Sequence, residues 1–407
     1  MKCGLLGRHL GHSYSPQIHA MLGEYSYTLF EKEPEEIKDF LKNGDWTGIN
    51  VTVPYKKDVI PFLDELSPVA QHLGAVNTIV RRNGNLIGHN TDYFGFLTMV
   101  RKSGLDISGK KVLVLGSGGA SNTATAVLAE LGGRVVVISR SGKNNYESLH
   151  LHNDASVIVN TTPVGMYPQT GISPVDLDLF PALEGVLDVI YNPARTKLLM
   201  DAEKRGLVTM NGLLMLVAQA KEASEWFTGT QIEDNLIPAI HHSLRNRMEN
   251  LVLIGMPGSG KTTVGKLLAQ KLGKHFVDAD EELVKHAGRS IPEIFECDGE
   301  SGFRAQETRV LSELGKRSGL VIATGGGCVT QAENFPYLHQ NGIIFCLTRQ
   351  LNKLPADGRP LSQAIKAEEM YRIRKPLYDA FADHLIDNDA AADAAVDQIC
   401  YILEEHL

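Results

Sequence analysis

Residues 251–272 read LVLIGMPGSGKTTVGKLLAQKL. The apolar run Leu251 to Ile254 predicts a buried strand. It breaks into a glycine-rich turn over Gly255 to Gly260, and Lys261 and Thr262 follow. Val264, Leu267, Leu268 and Leu272 then recur at helical spacing and predict one apolar face. The whole fits GxxxxGK(S/T) in the strand–loop–helix context that the pattern requires. Glycines let successive backbone N–H groups converge on phosphate oxygens, and the helix N-terminus adds partial positive charge. Lys261 is expected to reach the β- and γ-phosphates and Thr262 to ligate Mg²⁺. Taken alone, the pattern also describes a tight glycine turn. The strand before it and the helix after it favour a nucleoside triphosphate site. A strand that opens such a domain opens it at its own N-terminus, so the residues before 251 form something else.

The chain has 407 residues, and about 100–200 residues per domain predicts two or three domains. Apolar residues make up 43% and charged residues 22%, the balance of an ordinary globular protein that buries sizeable cores. The formal net charge of −8, with no Lys/Arg-rich run, argues against nucleic acid as a partner. Cys3, Cys297, Cys328, Cys346 and Cys400 form no C-x-x-C pair, which predicts reduced thiols in a cytoplasm and argues against zinc. The start, MKCGLLGRHLGHS, lacks the apolar core of a signal peptide, and no apolar run approaches about 18 residues. A soluble cytoplasmic protein without a membrane partner is expected. The sequence carries no signal for oligomeric state.

Residues 1 to 105 alternate short apolar runs with helical patterns, as α/β chains do. KCGLLG and the stretch at 48–53 predict strands. In HSYSP, Ser13 and Ser15 stand two apart, and Ser15 before Pro16 also reads as a helix N-cap. In NVTVPYK, Asn50, Thr52 and Lys56 sit at a strand end. Pro54 stops that strand, so Lys56 projects from a loop, where a lone lysine is usually a solvated charge. Asn83-Gly84 between Ile79-Val80 and Leu86-Ile87 predicts a hairpin that returns Asn77 towards Asp92. Asp92 also reads as the N-cap of a helix through Phe96, Leu97 and Val100.

KKVLVLG predicts a buried strand ending at Gly116. Gly116, Gly118 and Gly119 form a turn, a helix runs from Ala120 to Leu131, and Val135 to Ile138 is the next strand. This is a βαβ dinucleotide-binding pattern. An NAD site places Asp or Glu at the end of that second strand, about 20 residues past the glycines. Here the strand ends in Ser139, Arg140 and Ser141 with Lys143 nearby, and a guanidinium suits a 2′-phosphate. NADP(H) is therefore expected. Further on, strands are expected at 155–159 and 183–190, followed by NTTPVGM and by Tyr191. A long apolar helix after Asn211-Gly212 carries Gln219, which is costly to bury unpaired and otherwise points to solvent. A last helix over 232–248 leads without a Gly/Ser linker into Leu251. Beyond the glycine loop come Asp278-Ala-Asp280, Phe303-Arg304 with Glu307, Gly325-Gly326-Gly327, Arg359-Pro-Leu and Arg374-Lys-Pro-Leu-Tyr378. Any one of these arginines alone is usually a surface charge. Together beside a glycine loop they predict a site for a small anion.

Both halves resemble known families. Residues 1 to about 245 resemble shikimate dehydrogenase through HSYSP, NVTVPYK, GAVNTI, HNTD, GSGGAS, SRS, NTTPVGM and NGLLMLVAQA, in the family's order. Residues 251–407 resemble shikimate kinase through GMPGSGKTT, DADEEL, FRAQE, TGGG, GRPL and RKPLY. These families catalyse consecutive steps of one pathway, so the chain resembles a bifunctional fusion. The resemblance implies an α/β fold: a substrate domain over 1–105 with helices of 212–249 packed back on it, a Rossmann-type NADP domain over 106–211, and a P-loop kinase domain with a parallel sheet over 250–407. It implies small-molecule substrates, NADP(H), ATP and Mg²⁺. Ser13 and Ser15 would bind the substrate carboxylate. Thr52, Asn77 and Gln219 would hold ring hydroxyls, Tyr191 would line the pocket, and Lys56 and Asp92 would be the catalytic pair. Carbonyl reduction needs a proton delivered to the developing alkoxide, and a lysine held by a carboxylate can deliver it. Gly116, Gly118, Gly119, Ala120, Ser139, Arg140, Lys143, Thr161 and Gly212 would hold NADP. In the second half, Gly258, Ser259, Gly260, Lys261, Thr262, Thr263 and Arg359 would hold ATP, with Arg359 on a lid. Thr262 and Asp278 would serve the metal. Asp280, Arg304, Gly326 and Arg374 would hold shikimate, with Asp280 orienting or deprotonating the attacking hydroxyl.

Two departures stand out. Ser139-Arg140-Ser141 replaces the Asn-Arg-Thr of many members and keeps the arginine. The lid region, Thr348 to Ser362, is shorter than the family's usual lid, which bears on how well ATP is enclosed. Three other readings stay open at this point: use of quinate by the front half, conversion of one half into a ligand-sensing module, and a different P-loop kinase. The presence of Lys56, Asp92, Lys261 and Asp280 weighs against the second, and Asp280 with Arg304 and Arg374 against the third.

Overall fold

The computed structural model describes residues 1–11, 13–354 and 367–405. Strands β1 (Lys2–Gly7), β2 (Ser26–Glu31), β3 (Gly48–Val51), β4 (Glu65–Leu66), β5 (Thr78–Arg82) and β6 (Asn85–His89) form one sheet in the order β2-β1-β3-β5-β6-β4. Its first three strands are parallel, and β3, β5 and β6 pair antiparallel. The Asn83-Gly84 signal is the turn between β5 and β6. Both residues have positive φ, 53° and 86°, as a two-residue hairpin of the right twist requires. Leu6, Leu41, Trp46, Ile49, Val59 and Ile79 fill the core beside this sheet.

Helices α1 (Ser15–Leu22), α2 (Ile37–Asn43), α3 (Pro68–Leu73) and α4 (Asp92–Ser103) accompany it. Two capping expectations are corrected here. Ser15 is the first residue of α1 and Tyr14 holds the cap position, with no side-chain cap bond. Thr91 holds that position for α4, again without one, because the Asp92 carboxylate is engaged elsewhere.

A second sheet contains β7 (Lys111–Leu115), β8 (Arg134–Ile138), β9 (Val157–Asn160), β10 (Gly185–Asp188) and β11 (Val208–Met210). All pairs are parallel, in the order β11-β10-β9-β7-β8. Leu113 and Leu115 pack into one cluster and Val112 and Val114 into another, so β7 is buried on both faces. That is why it reads as an unbroken apolar run. Helices α5 (Gly119–Glu130), α6 (Lys197–Lys204) and α7 (Leu213–Thr228) follow, and α7 packs along α4. The next helix, α8 (Leu236–Met248), begins later than the apolar pattern suggests. The Ile232 N–H is taken by Glu225 Oε1 at 2.8 Å, and Lys221 bridges Glu225 and Asp234, which holds the chain between the helices in a non-helical path.

The described chain divides into two compact units. One is Met1–Gly165, Ile172–Tyr191 and Leu198–Ser243; the other is Met166–Gly171, Asn192–Lys197 and Leu244–Leu407. The border near residue 250 thus falls inside α8, and no separate linker intervenes.

The second unit has one parallel sheet of β12 (Asn250–Ile254), β13 (His275–Asp278), β14 (Leu320–Ala323), β15 (Gly342–Thr348) and β16 (His384–Asp387), ordered β13-β14-β12-β15-β16. Val252 and Ile254 enter one core, Leu251 and Leu253 the other. Its helices are α9 (Lys261–Leu272), α10 (Ala279–Ala287), α11 (Ile291–Lys316), α12 (Asn334–His339), α13 (Ala367–Phe381) and α14 (Ala392–Glu405). On α9 the buried face is Lys261, Val264, Gly265, Leu268 and Ala269. Leu272, expected on that face, is 38% exposed, because it ends the helix beside the Gly273 cap. Arg359 and most of the lid lie outside the described residues.

Candidate functional sites

Lys56 leaves the turn after β3, as the Pro54 stop requires, and its Nζ donates to Asp92 Oδ2 at 2.6 Å. Asp92 Oδ1 accepts from Asn77 Nδ2 at 3.0 Å. The hairpin therefore brings together three residues that lie up to 36 positions apart. Thr91 completes the group. Its N–H donates to Asn77 Oδ1 at 2.7 Å, and its hydroxyl donates to Gln219 Oε1 at 3.3 Å. Gln219 is half-buried and its Nε2 donates to Leu216 O, so it faces this cluster and not bulk solvent. Lys56 and Asp92 keep side-chain exposures of 26% and 14%, enough for a substrate to reach them.

The other expected residues of this site are placed by separate contacts. Ser15 N–H donates to Ser13 Oγ at 3.2 Å, which holds the two serines at the start of α1. Tyr191 is half-buried, with its ring edge-on to Tyr14 at 6.2 Å, and desolvation raises its phenol above the ordinary range. Thr52 N–H donates to Leu6 O, which fixes the end of β3 beside β1.

In the second sheet the strand order reverses between β7 and β9, the position where open α/β sheets take ligands. The loop after β7 carries Gly116 at φ 112°, where a Cβ would stand 2.8 Å from Thr161 Oγ1. Thr161 Oγ1 itself donates to Leu115 O at 2.6 Å, so the two loops touch at the reversal. Gly118 and Gly119 face open space, and α5 starts there with its N–H groups outward. Ala120 lies in the first turn of α5. Ser139 closes the end of β8 through its N–H to Asn144 O, leaving Arg140 exposed close to Tyr146, and Lys143 lies in the same loop. Gly212 caps α7, and a Cβ there would meet Val189 O at 2.0 Å. These features fit a pyrophosphate at α5 and an added phosphate at Arg140.

The second unit holds a cavity of about 730 Å³ at the carboxyl ends of β12, β13 and β14. Gly258, Gly260, Lys261, Thr262 and Thr263 line one side. Lys261 Nζ is buried and donates to Gly255 O and Met256 O at 2.9 and 3.0 Å. Ser259 is buried, its carbonyl held by Asn388 Nδ2. Thr262 Oγ1 donates to Asp278 Oδ2 at 2.9 Å, and Asp278 Oδ1 caps α10 through the Asp280 N–H. A hydroxyl and a carboxylate so close form the hard oxygen pair that suits Mg²⁺.

Asp280, Arg304, Gly326 and Arg374 line the same cavity. Arg304 is 5% exposed, and its Nη1 donates to Glu307 Oε2 at 2.7 Å. Arg374 Nη1 donates to Gly326 O at 3.0 Å. The triple glycine is required sterically. A Cβ at 325 would stand 2.6 Å from Glu307 Oε1 and 2.9 Å from Asp280 Oδ1, one at 326 would press on Pro257, and one at 327 would enter the Arg304 guanidinium. Burial raises the Glu307 carboxyl above its ordinary range, against the pull of Arg304.

Several residues of these sites are given no role by the sequence reading. Glu307 is named beside Arg304 only as part of a motif; it stands three residues after Arg304 on α11, a helical pairing distance. Thr91 sat unremarked beside Asp92. Arg349, which reaches Gly258 O, left no local signal, and Tyr378, named only as the end of RKPLY, donates its hydroxyl to Gly326 O.

The shikimate kinase family profile matches residues 257–404, and that of the shikimate dehydrogenase substrate binding domain matches residues 5–79. A shikimate dehydrogenase (NADP(+)) of Clostridium perfringens is 35% identical over 266 residues, spanning 60% of this chain and 98% of that protein. The crystal structure of shikimate dehydrogenase 1 from Peptoclostridium difficile is similar at 38% identity and a TM-score of 0.56, covering 60% of this chain and 97% of that one. The Thermus thermophilus enzyme, solved with NADP(H) and shikimate, is similar at 31% identity and a TM-score of 0.54, covering 60% and 99%. Over its first 60% this chain belongs to the shikimate dehydrogenase family, and a shikimate kinase domain follows it.

Proposed function

We propose that this chain performs two consecutive reactions: NADPH-dependent reduction of 3-dehydroshikimate to shikimate, and ATP-dependent phosphorylation of shikimate to shikimate 3-phosphate. The Lys56–Asp92 contact at 2.6 Å, at the mouth of a polar cluster, carries the first half of this reading. NADPH, when bound at Gly116–Ala120 and Arg140, supplies the hydride. Lys56 delivers the proton to the carbonyl oxygen as it becomes a hydroxyl, and Asp92 holds the ammonium in line. Ser13 and Ser15 take the carboxylate, while Thr52, Asn77 and Gln219 select the ring hydroxyls and Tyr191 closes the pocket.

In the second reaction, Arg304 and Arg374 take the shikimate carboxylate and Gly326 the ring. Asp280 orients the attacking hydroxyl and accepts its proton. The hydroxyl oxygen bonds to the γ-phosphorus as the bond to the β–γ bridging oxygen breaks and ADP leaves. Lys261 and the N–H groups of Gly258–Thr263 stabilise the charge on the phosphates. Thr262 and Asp278 hold Mg²⁺, which adds positive charge beside the phosphates. Arg359 would close over the nucleotide. The substrates are small molecules, not nucleic acid, and unpaired cysteines suit a cytoplasmic enzyme.

The test is an assay of the purified chain with dehydroshikimate and NADPH or NADH, and in the reverse direction with shikimate or quinate and NADP⁺ or NAD⁺, each with or without ATP and Mg²⁺. Shikimate 3-phosphate formed from dehydroshikimate only when NADPH and ATP are both present supports the proposal. Turnover of quinate in place of shikimate overturns the substrate assignment.

A further inference from the structure

Behind Lys56 and Asp92 runs a hydrogen-bond chain that the reaction itself does not use. Tyr27 Oη donates to Asn50 Oδ1 at 2.7 Å. Asn50 Nδ2 donates to Thr78 Oγ1 at 3.1 Å and to Asn77 O at 3.3 Å. Thr78 Oγ1 donates to Asn77 Oδ1 at 3.1 Å, and Asn77 Nδ2 donates to Asp92 Oδ1 at 3.0 Å. Thr78 is fully buried, and Asn50 and Asn77 are 5% and 3% exposed.

The direction of this chain runs from its far end. Tyr27 gives its proton to the Asn50 carbonyl, and the Asn50 amide is turned towards Thr78. A hydroxyl has one proton. Having accepted from Asn50, Thr78 gives its own to Asn77 Oδ1. The Thr91 hydroxyl accepts from Asn77 Nδ2 at 3.0 Å and shares its one proton between Asn77 Oδ1 at 3.2 Å and Gln219 Oε1 at 3.3 Å. Thr78, at 3.1 Å, is the nearer side-chain donor to Asn77 Oδ1, and with the Thr91 N–H and hydroxyl it holds that oxygen away from Asp92. Were the Asn77 amide turned over, its oxygen would face the Asp92 carboxylate, and Asp92 would shift from Lys56.

We propose that Thr78 is a positioning residue for proton delivery: its hydroxyl, oriented by Asn50 and Tyr27, locks the Asn77 amide and thereby the Asp92–Lys56 geometry. This rests on the reading of Lys56 and Asp92 as the catalytic pair. Thr78 touches neither of them, so its effect runs entirely through Asn77.

The experiment compares Thr78→Val, Thr78→Ser, Tyr27→Phe and Lys56→Ala in the full chain, with tryptophan-monitored melting of the first unit, which holds both Trp46 and Trp226, as the control of folding. Thr78→Val keeps the shape and removes the donor. It should lower kcat for dehydroshikimate reduction about tenfold, within the about 10²-fold that a 1 Å misplacement costs. Its solvent deuterium isotope effect on kcat should rise, because proton delivery becomes the slow step. Thr78→Ser should restore both, and Tyr27→Phe should move both the same way by less. A lost kcat with an unchanged isotope effect would mean a merely structural role and overturns the proposal, as does wild-type kinetics in Thr78→Val. Wild-type rates in Lys56→Ala would instead overturn the catalytic pair itself.

Discussion

Lys56 Nζ and Asp92 Oδ2 lie 2.6 Å apart on side chains that remain partly exposed. In the proposed function this pair delivers the proton during reduction. Lys56→Ala should lower kcat for reduction by about 10²–10⁴-fold with a much smaller change in KM, since the proton moves only in the transition state. Thermal stability and kinase rate should be nearly unchanged. Steady-state kinetics on the two reactions decide it, and a wild-type reduction rate sinks the assignment.

Arg140 lies two residues past the end of β8, in the place where an acid would favour NAD. The wild-type chain should prefer NADPH to NADH strongly. A charged hydrogen bond contributes about 1.5–3 kcal/mol, so Arg140→Ala should raise KM for NADPH by about 10- to 100-fold and leave KM for NADH in place. Equal use of both cofactors by the wild type would refute the argument from the strand end.

The two activities should separate by mutation. Lys261 is buried under the glycine loop of β12 and bonds two of its carbonyls. Lys261→Ala should abolish phosphoryl transfer while NADP-dependent activity persists, because the sheet of β7–β11 has its own core. Collapse of the dehydrogenase in a folded Lys261→Ala chain would show that the halves are not independent.

What the sequence shows of these sites depends on how local each signal is. The β12 turn, the β7 turn and the Asn83-Gly84 hairpin are contiguous, so backbone chemistry alone announces them. Asn77, Asp92 and Lys56 were legible because the hairpin sets the distance between two of them. The capping readings of Ser15 and Asp92 failed for a physical reason. A cap is the default for such residues when nothing else competes, and at Asp92 a lysine and an amide compete successfully. Thr78, Asn50 and Tyr27 were not legible as a chain, because it crosses β2, β3 and β5 and exists only through their register.

His19 offers a test by pH. It stacks on Tyr27 at 4.0 Å and is almost fully buried, which lowers its pKa from 6.5 to about 3. Tyr25, Tyr27, Phe227 and Asn50 face it, with no carboxylate among them. The unfolded chain then binds a proton below pH 6.5 that the folded chain refuses. Stability is complete above that pH and is lost as pH falls towards 3, by roughly 1.4 kcal/mol per unit. Both tryptophans, Trp46 and Trp226, belong to the first unit, so their fluorescence reports its melting selectively. The Tm of that transition should drop between pH 6.5 and 4, and His19→Phe should flatten the drop. Identical slopes in the two proteins would remove His19 as the cause.

Glu307 and Arg304 form a buried pair of the opposite kind. With exposures of 2% and 5%, neither charge can turn to water. Removing one member of such a pair leaves the other uncompensated and costs about 3–5 kcal/mol. Glu300 Oε1, at 3.4 Å and on a largely exposed side chain, is a weak substitute. Glu307→Gln should therefore lower the melting of the second unit by calorimetry, while the tryptophan transition of the first stays put. Ligand should then act more strongly on the variant than on the wild type. If Arg304 receives the substrate carboxylate, shikimate brings the missing anion to a guanidinium that has lost its partner. Binding then relieves a folding penalty that the wild type does not carry. The shikimate-induced rise in Tm, measured at equal saturation, should be larger in Glu307→Gln than in the wild type, and absent in Arg304→Ala. An equal or smaller rise in Glu307→Gln would mean that the carboxylate goes elsewhere in the cavity, and Arg304 would lose its place in substrate binding.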